Sequence, residues 1–238
     1  MRTILLTNDD GIAADGLLRL AKAAQALGEV WVVAPDGQRS AASHAITLHG
    51  TVDVVPCAYP LAGVRAFICT GTPADCVRVG SLYVMEHKPD LVLSGINRGY
   101  NTATDIQYSG TCGAAFEGAF QGIPSIALSE QDGDCHDVTA RYLPDLLAAL
   151  AERPLEDGSI WNVNFPGCPL AACRGVLWDR AVSRGTFYRD RYQAVAQLAD
   201  GGVRLAVDGQ YNEDAEPDTD FRAVVDGYVS VGIARNVG

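Results

Sequence analysis

Short apolar runs alternate with helical stripes along the first two thirds of the chain. Residues 2–7 (Arg-Thr-Ile-Leu-Leu-Thr) form a run that stops at Asn8-Asp9-Asp10-Gly11, the mark of a buried strand ending in a loop. Leu17, Leu18, Leu20, Ala21, Ala24 and Leu27 follow at helical spacing, with Gly28 as the stop. Residues 30–34 (Val-Trp-Val-Val-Ala) are a second buried run, so the chain opens as a βαβ unit with parallel strands and a right-handed crossover. Further strands are predicted over 64–70, 90–94, 124–128 and 160–164. Thr72-Pro73-Ala74-Asp75 reads as a helix start running toward Met85: a hydroxyl cap, a proline in the first turn and an acid on the helix dipole. A small-residue helix is predicted over 111–122. Leu143, Leu146, Leu147 and Leu150 make a helical stripe, although Pro144 sits awkwardly in a helix begun at Thr139. This alternation predicts an α/β fold, a three-layer αβα sandwich with a mostly parallel sheet.

After Pro166 the pattern changes. Residues 174–212 carry Arg174, Arg180, Arg184, Arg189 and Arg191 beside Phe187, Tyr188 and Tyr192. A Gly201-Gly202 turn leads into 203–207, which alternates like an exposed strand. The expectation is one domain over 1–238, with a core over 1–170. A hairpin-bearing extension over 174–238 would end in a strand over 228–233.

Composition narrows the class. Of 238 residues, 48% are hydrophobic and 20% charged, a balance that supports a packed core rather than a disordered chain. No apolar run reaches the roughly 20 residues of a membrane helix, and the N-terminus lacks a signal-peptide pattern. With 18 basic against 29 acidic residues the net charge is −11, which disfavours a nucleic-acid duplex as partner. The seven cysteines (57, 69, 76, 112, 135, 168 and 173) are odd in number and form no CxxC pair. They read as mostly buried thiols of a reducing cytoplasm.

The chemistry gathers where strands end. Ligands of doubly wound sheets bind outside the carboxyl ends of the strands. Asn8-Asp9-Asp10 follows the first strand, Gln38-Arg39-Ser40 the second, and Ser94-Gly95-Ile96-Asn97-Arg98-Gly99 the strand at 90–94. Adjacent carboxylates are costly to hold without a cation, and an all-oxygen set suits a hard divalent ion such as Mg²⁺ or Mn²⁺. The expected ligands are Asp9, Asp10, Ser40 and Asn97. Alone, the Asp9-Asp10 doublet also reads as a turn with a helix cap. Ser109-Gly110-Thr111 opens the small-residue helix and can cradle a phosphate, or serve as an ordinary cap. His44 is close enough in sequence to reach the crevice, though a satisfied structural histidine is the simpler reading. No Walker loop, nucleophile elbow or dinucleotide fingerprint is present.

Several ordered segments resemble the SurE family of survival-protein nucleotidases. They are Ile4-Leu5-Leu6-Thr7-Asn8-Asp9-Asp10-Gly11, Val33-Ala34-Pro35-Asp36 through Arg39-Ser40, Gly71-Thr72-Pro73-Ala74-Asp75-Cys76-Val77, Ser94-Gly95-Ile96-Asn97-Arg98-Gly99, Tyr108-Ser109-Gly110-Thr111 and Gly122-Ile123-Pro124-Ser125-Ile126-Ala127. A weaker match continues through 162–166 to 218–221 and 227–230. The resemblance implies a Rossmann-like core with a projecting β-hairpin and a C-terminal arm exchanged in homodimers or homotetramers. It implies a metal-dependent phosphatase for nucleoside 5′- and 3′-monophosphates, and in some relatives for short polyphosphate. Its implied ligands are Asp9, Asp10, Ser40 and Asn97, with Asp9 and Asp10 catalytic. Asn8, Ser109, Gly110 and Thr111 fall at the positions implied to hold phosphate. Water attack and a covalent aspartyl-phosphate both remain open at this point. So do an exopolyphosphatase and a non-catalytic nucleotide or metal sensor. Relatives usually carry Gly where Ala103 stands.

Overall fold

The computed structural model describes residues 1–186, 188–212 and 214–236, with Tyr211 by its backbone alone. Its elements are β1 (Arg2–Thr7), α1 (Asp15–Ala24), β2 (Gly28–Pro35), β3 (Val54–Cys57), β4 (Arg65–Cys69), α2 (Pro73–Val79), β5 (Leu91–Arg98), α3 (Asp105–Tyr108), α4 (Gly110–Phe120), β6 (Ser125–Glu130), α5 (Asp137–Leu150), β7 (Ser159–Phe165), β8 (Val176–Leu177), β9 (Tyr188–Arg189), β10 (Tyr192–Gln197), β11 (Val203–Val207), β12 (Gln210–Tyr211), α6 (Asp220–Val225) and β13 (Val229–Arg235). Nine strands form one sheet in the order β3-β4-β2-β1-β5-β6-β7-β13-β8. The run from β4 to β7 is parallel, and β3 and β13 are antiparallel to their neighbours β4 and β7. The expected α/β sandwich is therefore what the chain builds.

The strands read as continuous apolar runs because both sheet faces are covered. Alternate side chains serve opposite layers. Ile4, Leu6, Val30, Val32, Leu91 and Leu93 pack with Leu17, Leu20, Leu143 and Leu147 of α1 and α5. Leu5, Trp31, Val33 and Val92 pack with Cys76, Val77 and Ala114 of α2 and α4.

Local signals hold with some corrections. Thr72 and Asp75 form a reciprocal capping box at the start of α2. The helix does not run on regularly toward Met85; after Val79 it loosens into a π-helical turn over Gly80–Val84. Pro144 lies inside α5 rather than before it. It is exposed, so the carbonyl it leaves unpaired can be met by water. The strand β3, which the pattern did not reveal, is a short edge strand that tolerates Pro56. All seven cysteines are free, but only Cys69, Cys76 and Cys112 are buried; the other four are half-buried.

Residues beyond 174 do not all stand apart. β8 and β13 enter the main sheet, and β13 pairs with β7 over six residues from Ser159 to Asn164. The part that leaves the layers is the ribbon β10–β11, based on the short pair β9–β12.

Candidate active site

The sheet order sets the place. The chain builds outward from β1 through β2 to β4, then returns to lay β5 on the other side of β1. The switch point between β1 and β5 opens a crevice at their carboxyl ends. Asn8, Asp9 and Asp10 leave β1 there, and Asn97 and Arg98 end β5 beside them. A bulge between Ser94 and Asn97 interrupts the pairing of β5 with β6 just before the crevice.

Asp9 is buried, 4% exposed. Thr111 Oγ1 donates to its Oδ1 at 2.6 Å, and the Thr111 backbone N–H also supports the carboxylate. The N-terminus of α4 thus faces Asp9 directly. Gly110 makes this approach possible: a Cβ there would lie 2.9 Å from Asp9 Cβ, 3.1 Å from Asp9 Oδ2 and 3.2 Å from Pro73 Cγ. Burial pushes the Asp9 carboxyl up to about 6, against the Thr111 hydroxyl, and the charge of Asp10 adds to the rise. Burial also raises Asp10, while the Arg98 N–H, 3.3 Å from its Oδ2, works the other way.

The remaining expected residues take differing places. Asn97 donates its Nδ2 to Gly99 O at 2.9 Å, which leaves Oδ1 as its end for a cation. Ser40 is exposed at the rim; its neighbour Arg39 donates its N–H to Asp9 O at 2.6 Å, and Gln38 donates to Ser40 Oγ at 3.0 Å. Asn8 spends both ends of its amide on Gly11, at 2.9 and 3.2 Å, and so holds the turn that carries the aspartates. Ser109 Oγ caps α4 by accepting from Cys112 N at 3.0 Å.

His44 does not enter the crevice. Asn236 Nδ2 donates to its Nδ1 at 3.2 Å, so Nε2 carries the proton and meets Glu117 Oε2 at 3.0 Å. With Ser43 bonded to the carbonyls of Gln107 and Tyr108, this fastens the Ser40 loop to α3 and α4.

The donors fit a hard divalent ion: two carboxylates, an amide oxygen and a hydroxyl, all oxygen. Among the described residues no three His, Cys, Asp or Glu gather as a metal site, so a cation at Asp9 and Asp10 must complete its shell from neutral oxygens and water. Beside Asp10 lies a cavity of about 470 Å³, lined by Gln38, Ile96, Arg98, Glu130 and His136 among others. That volume is in the range of small-molecule sites.

Comparison with known proteins gives the family. The family model described as survival protein SurE matches residues 4–186. The chain belongs to the SurE family. The 5′/3′-nucleotidase SurE of Yersinia pestis (strain Pestoides F) is 41% identical over 233 residues, covering 97% of this chain and 89% of the relative. That of Erwinia tasmaniensis is 43% identical over 230 residues, covering 96% and 88%. The crystal structure of the SurE protein from Aquifex aeolicus superposes with a TM-score of 0.81 at 34% identity, over 98% of this chain and 93% of that one. Ala103 has φ 54°, in the left-handed region that favours glycine.

One polar group escaped the sequence reading. Asn101, Asn162 and Asn164 are buried together at the ends of β6 and β7, below the loop that follows β5. Their signal was present: two asparagines interrupt the apolar run 160–165.

Proposed function

We propose that this chain is a phosphatase of nucleoside 5′- and 3′-monophosphates that uses one divalent cation, Mg²⁺ or Mn²⁺, per chain. The observation that carries the reading is the contact of Asp9 with the first turn of α4, which puts a carboxylate pair and an anion-attracting helix end in one crevice. The names of the SurE relatives from Yersinia and Erwinia support the substrate class.

Asp9, Asp10, Asn97 Oδ1 and Ser40 Oγ would hold the cation. When bound it supplies Lewis-acid polarisation of the phosphoryl group and a more acidic water. Ser109, Gly110 and Thr111 orient the phosphate at the α4 N-terminus, whose dipole favours the charge that grows on the equatorial oxygens. Thr111 fixes Asp9 by Oδ1, which leaves Oδ2 as the oxygen that would face the cation and its water. Asn8 positions this carboxylate through the Gly11 turn. The cavity beside Asp10 receives the nucleoside.

The exposed apolar side chains of the ribbon, Val195, Leu205 and Val207 among them, support assembly with further copies of the chain. No helix among the described residues is long and apolar enough to cross a membrane. Seven free cysteines suit a reducing cytoplasm.

Phosphate release from nucleoside 5′- and 3′-monophosphates and from short polyphosphate, with Mg²⁺, Mn²⁺ or EDTA, tests the reading. The expected result is release from the monophosphates that EDTA abolishes. Release from polyphosphate alone would make the chain an exopolyphosphatase. No release from folded protein with either metal would leave a binding role.

A further inference from the structure

Asn97 and Ser109 are joined by a strap: the loop 99–104 and the single turn α3. One end is a cation ligand in the proposed site and the other begins the phosphate subsite. Asn97 is secured independently, because β5 pairs there with Ser129 of β6. Ser109 depends more on the strap, since its N–H is bonded to Asp105 O at 3.0 Å and Asp105 N–H to Thr102 O at 3.1 Å.

The strap is fastened from beneath at two points. Asn101 donates its Nδ2 to Ser129 Oγ at 2.8 Å, and its backbone meets Asn162 and Asn164. Two residues on, Ala103 donates its N–H to Asp220 Oδ2 at 3.1 Å. Asp220 is 3% exposed and comes from the far end of the chain. Its Oδ1 accepts the N–H of Ser183 at 2.9 Å, at the root of the ribbon, and of Phe221 at 2.7 Å. Around this junction Ala103, Phe221 and Val224 form a small apolar cluster. The start of α6 does not need this carboxylate, because Thr219 already caps it by accepting from Arg222 N. Burying a carboxylate is costly, and this one is spent on backbone donors of two other segments, the strap and the ribbon root, besides its own neighbour Phe221.

We propose that Asp220 is a positioning residue for the phosphate subsite, holding the strap at Ala103 so that Ser109 and Gly110 face Asp9, and tying that strap to the ribbon root at Ser183. The inference rests on the reading of the crevice as a phosphatase site. It predicts a split between the two halves of that site: phosphate binding depends on Asp220, and cation binding does not.

The test uses the full chain with Asp220→Asn, which keeps the shape but turns an N–H donor toward a backbone donor. Calorimetry gives the affinity for Mn²⁺ alone, then for inorganic phosphate on the Mn²⁺-loaded protein; KM and kcat are measured alongside. The expected result is a phosphate Kd and a KM raised about tenfold or more, the scale of losing an outer-shell partner, with Mn²⁺ affinity within about twofold of wild type. A folded D220N with phosphate Kd unchanged overturns the inference, as does an equal loss of Mn²⁺ affinity. Should D220N not fold, Ser129→Ala loosens the same strap at Asn101. It is expected to weaken phosphate about threefold, one ordinary hydrogen bond, and unchanged phosphate binding overturns the proposal. A wild-type protein that binds Mn²⁺ but neither binds phosphate nor hydrolyses any monophosphate overturns the proposed function itself. Active wild type with an unaltered D220N overturns only the role of Asp220.

Discussion

In the crevice Asn8, Asp9, Ser109 and Thr111 are polar and buried, whereas along β10 and β11 Val195, Leu205 and Val207 are apolar and exposed. Both regions invert the usual partition of side chains. The difference lies in how firmly each is held. In the crevice the polar side chains are tied down by hydrogen bonds: Asp9 by Thr111 of α4, Asn8 by Gly11 of its own turn, and the Ser40 loop by α3 and α4. The ribbon is held through its own ladder, with both strands open to solvent on both faces. Buried polar groups in a rigid frame point to small charged ligands that must meet fixed geometry. Exposed apolar groups on a free ribbon point to a protein surface that arrives later. The first inversion costs stability within the chain; the second is relieved by assembly.

The sharpest way to break the comparison is to push α4 away from Asp9. Gly110→Ala places a methyl group 3.1 Å from Asp9 Oδ2 and should lower turnover on the order of a hundredfold, the cost of a misplacement near 1 Å. Circular dichroism would establish that the fold survives, and turnover equal to wild type would mean that the close approach is incidental. A milder lesion, Thr111→Val, removes the hydroxyl that holds Asp9. A loss of about tenfold in kcat is expected, within the range of a charged hydrogen bond. Because that hydroxyl favours the ionised carboxylate, the acid limb of the pH–rate profile should move to higher pH; a move to lower pH would contradict the assignment.

The cost of the buried carboxylates can be read from stability without metal. Burial raises Asp9 and Asp220 to about 6 from 3.8. Between pH 4 and pH 6 the folded chain therefore holds protons that the unfolded chain has lost, so stability falls as pH rises through that window. In EDTA each of the two should contribute about 1 kcal/mol less stability at pH 7 than at pH 5. Urea titrations of wild type against Asp9→Asn check the sign, the variant being the less pH-sensitive. The smallest effect on catalysis is expected at the ribbon. Leu205→Glu with Val207→Glu should change turnover by less than about twofold, as for sites that share no partner, while lowering the mass of the assembly in sedimentation. A large loss of turnover with unchanged mass would place the ribbon in the site.

The layers were legible because buried parallel strands are apolar runs and the helices between them keep a clear stripe. The candidate crevice was legible in part for a related reason: Asp9 and Asp10 follow the run of β1, and Asn97 follows the run at 91–93. What the sequence hid was long-range. Nothing near Asp220 signals that its carboxylate reaches Ala103, 117 positions away. Nothing near Asn8 says that its amide serves Gly11 rather than a ligand. Pro144 misled because a proline is tolerated in a helix where the carbonyl it leaves unpaired can be met by water. The placement of β13 inside the sheet was hidden because an antiparallel partner for β7 looks the same in sequence as a strand of a separate extension.

The measurement closest to the central claim is a calorimetric titration of metal-free protein with Mn²⁺, wild type beside Asp9→Asn. The account predicts one ion per chain in wild type and a loss of that binding in a variant that remains folded. Undiminished Mn²⁺ binding by folded D9N would mean that the crevice between β1 and β5 is not the metal centre.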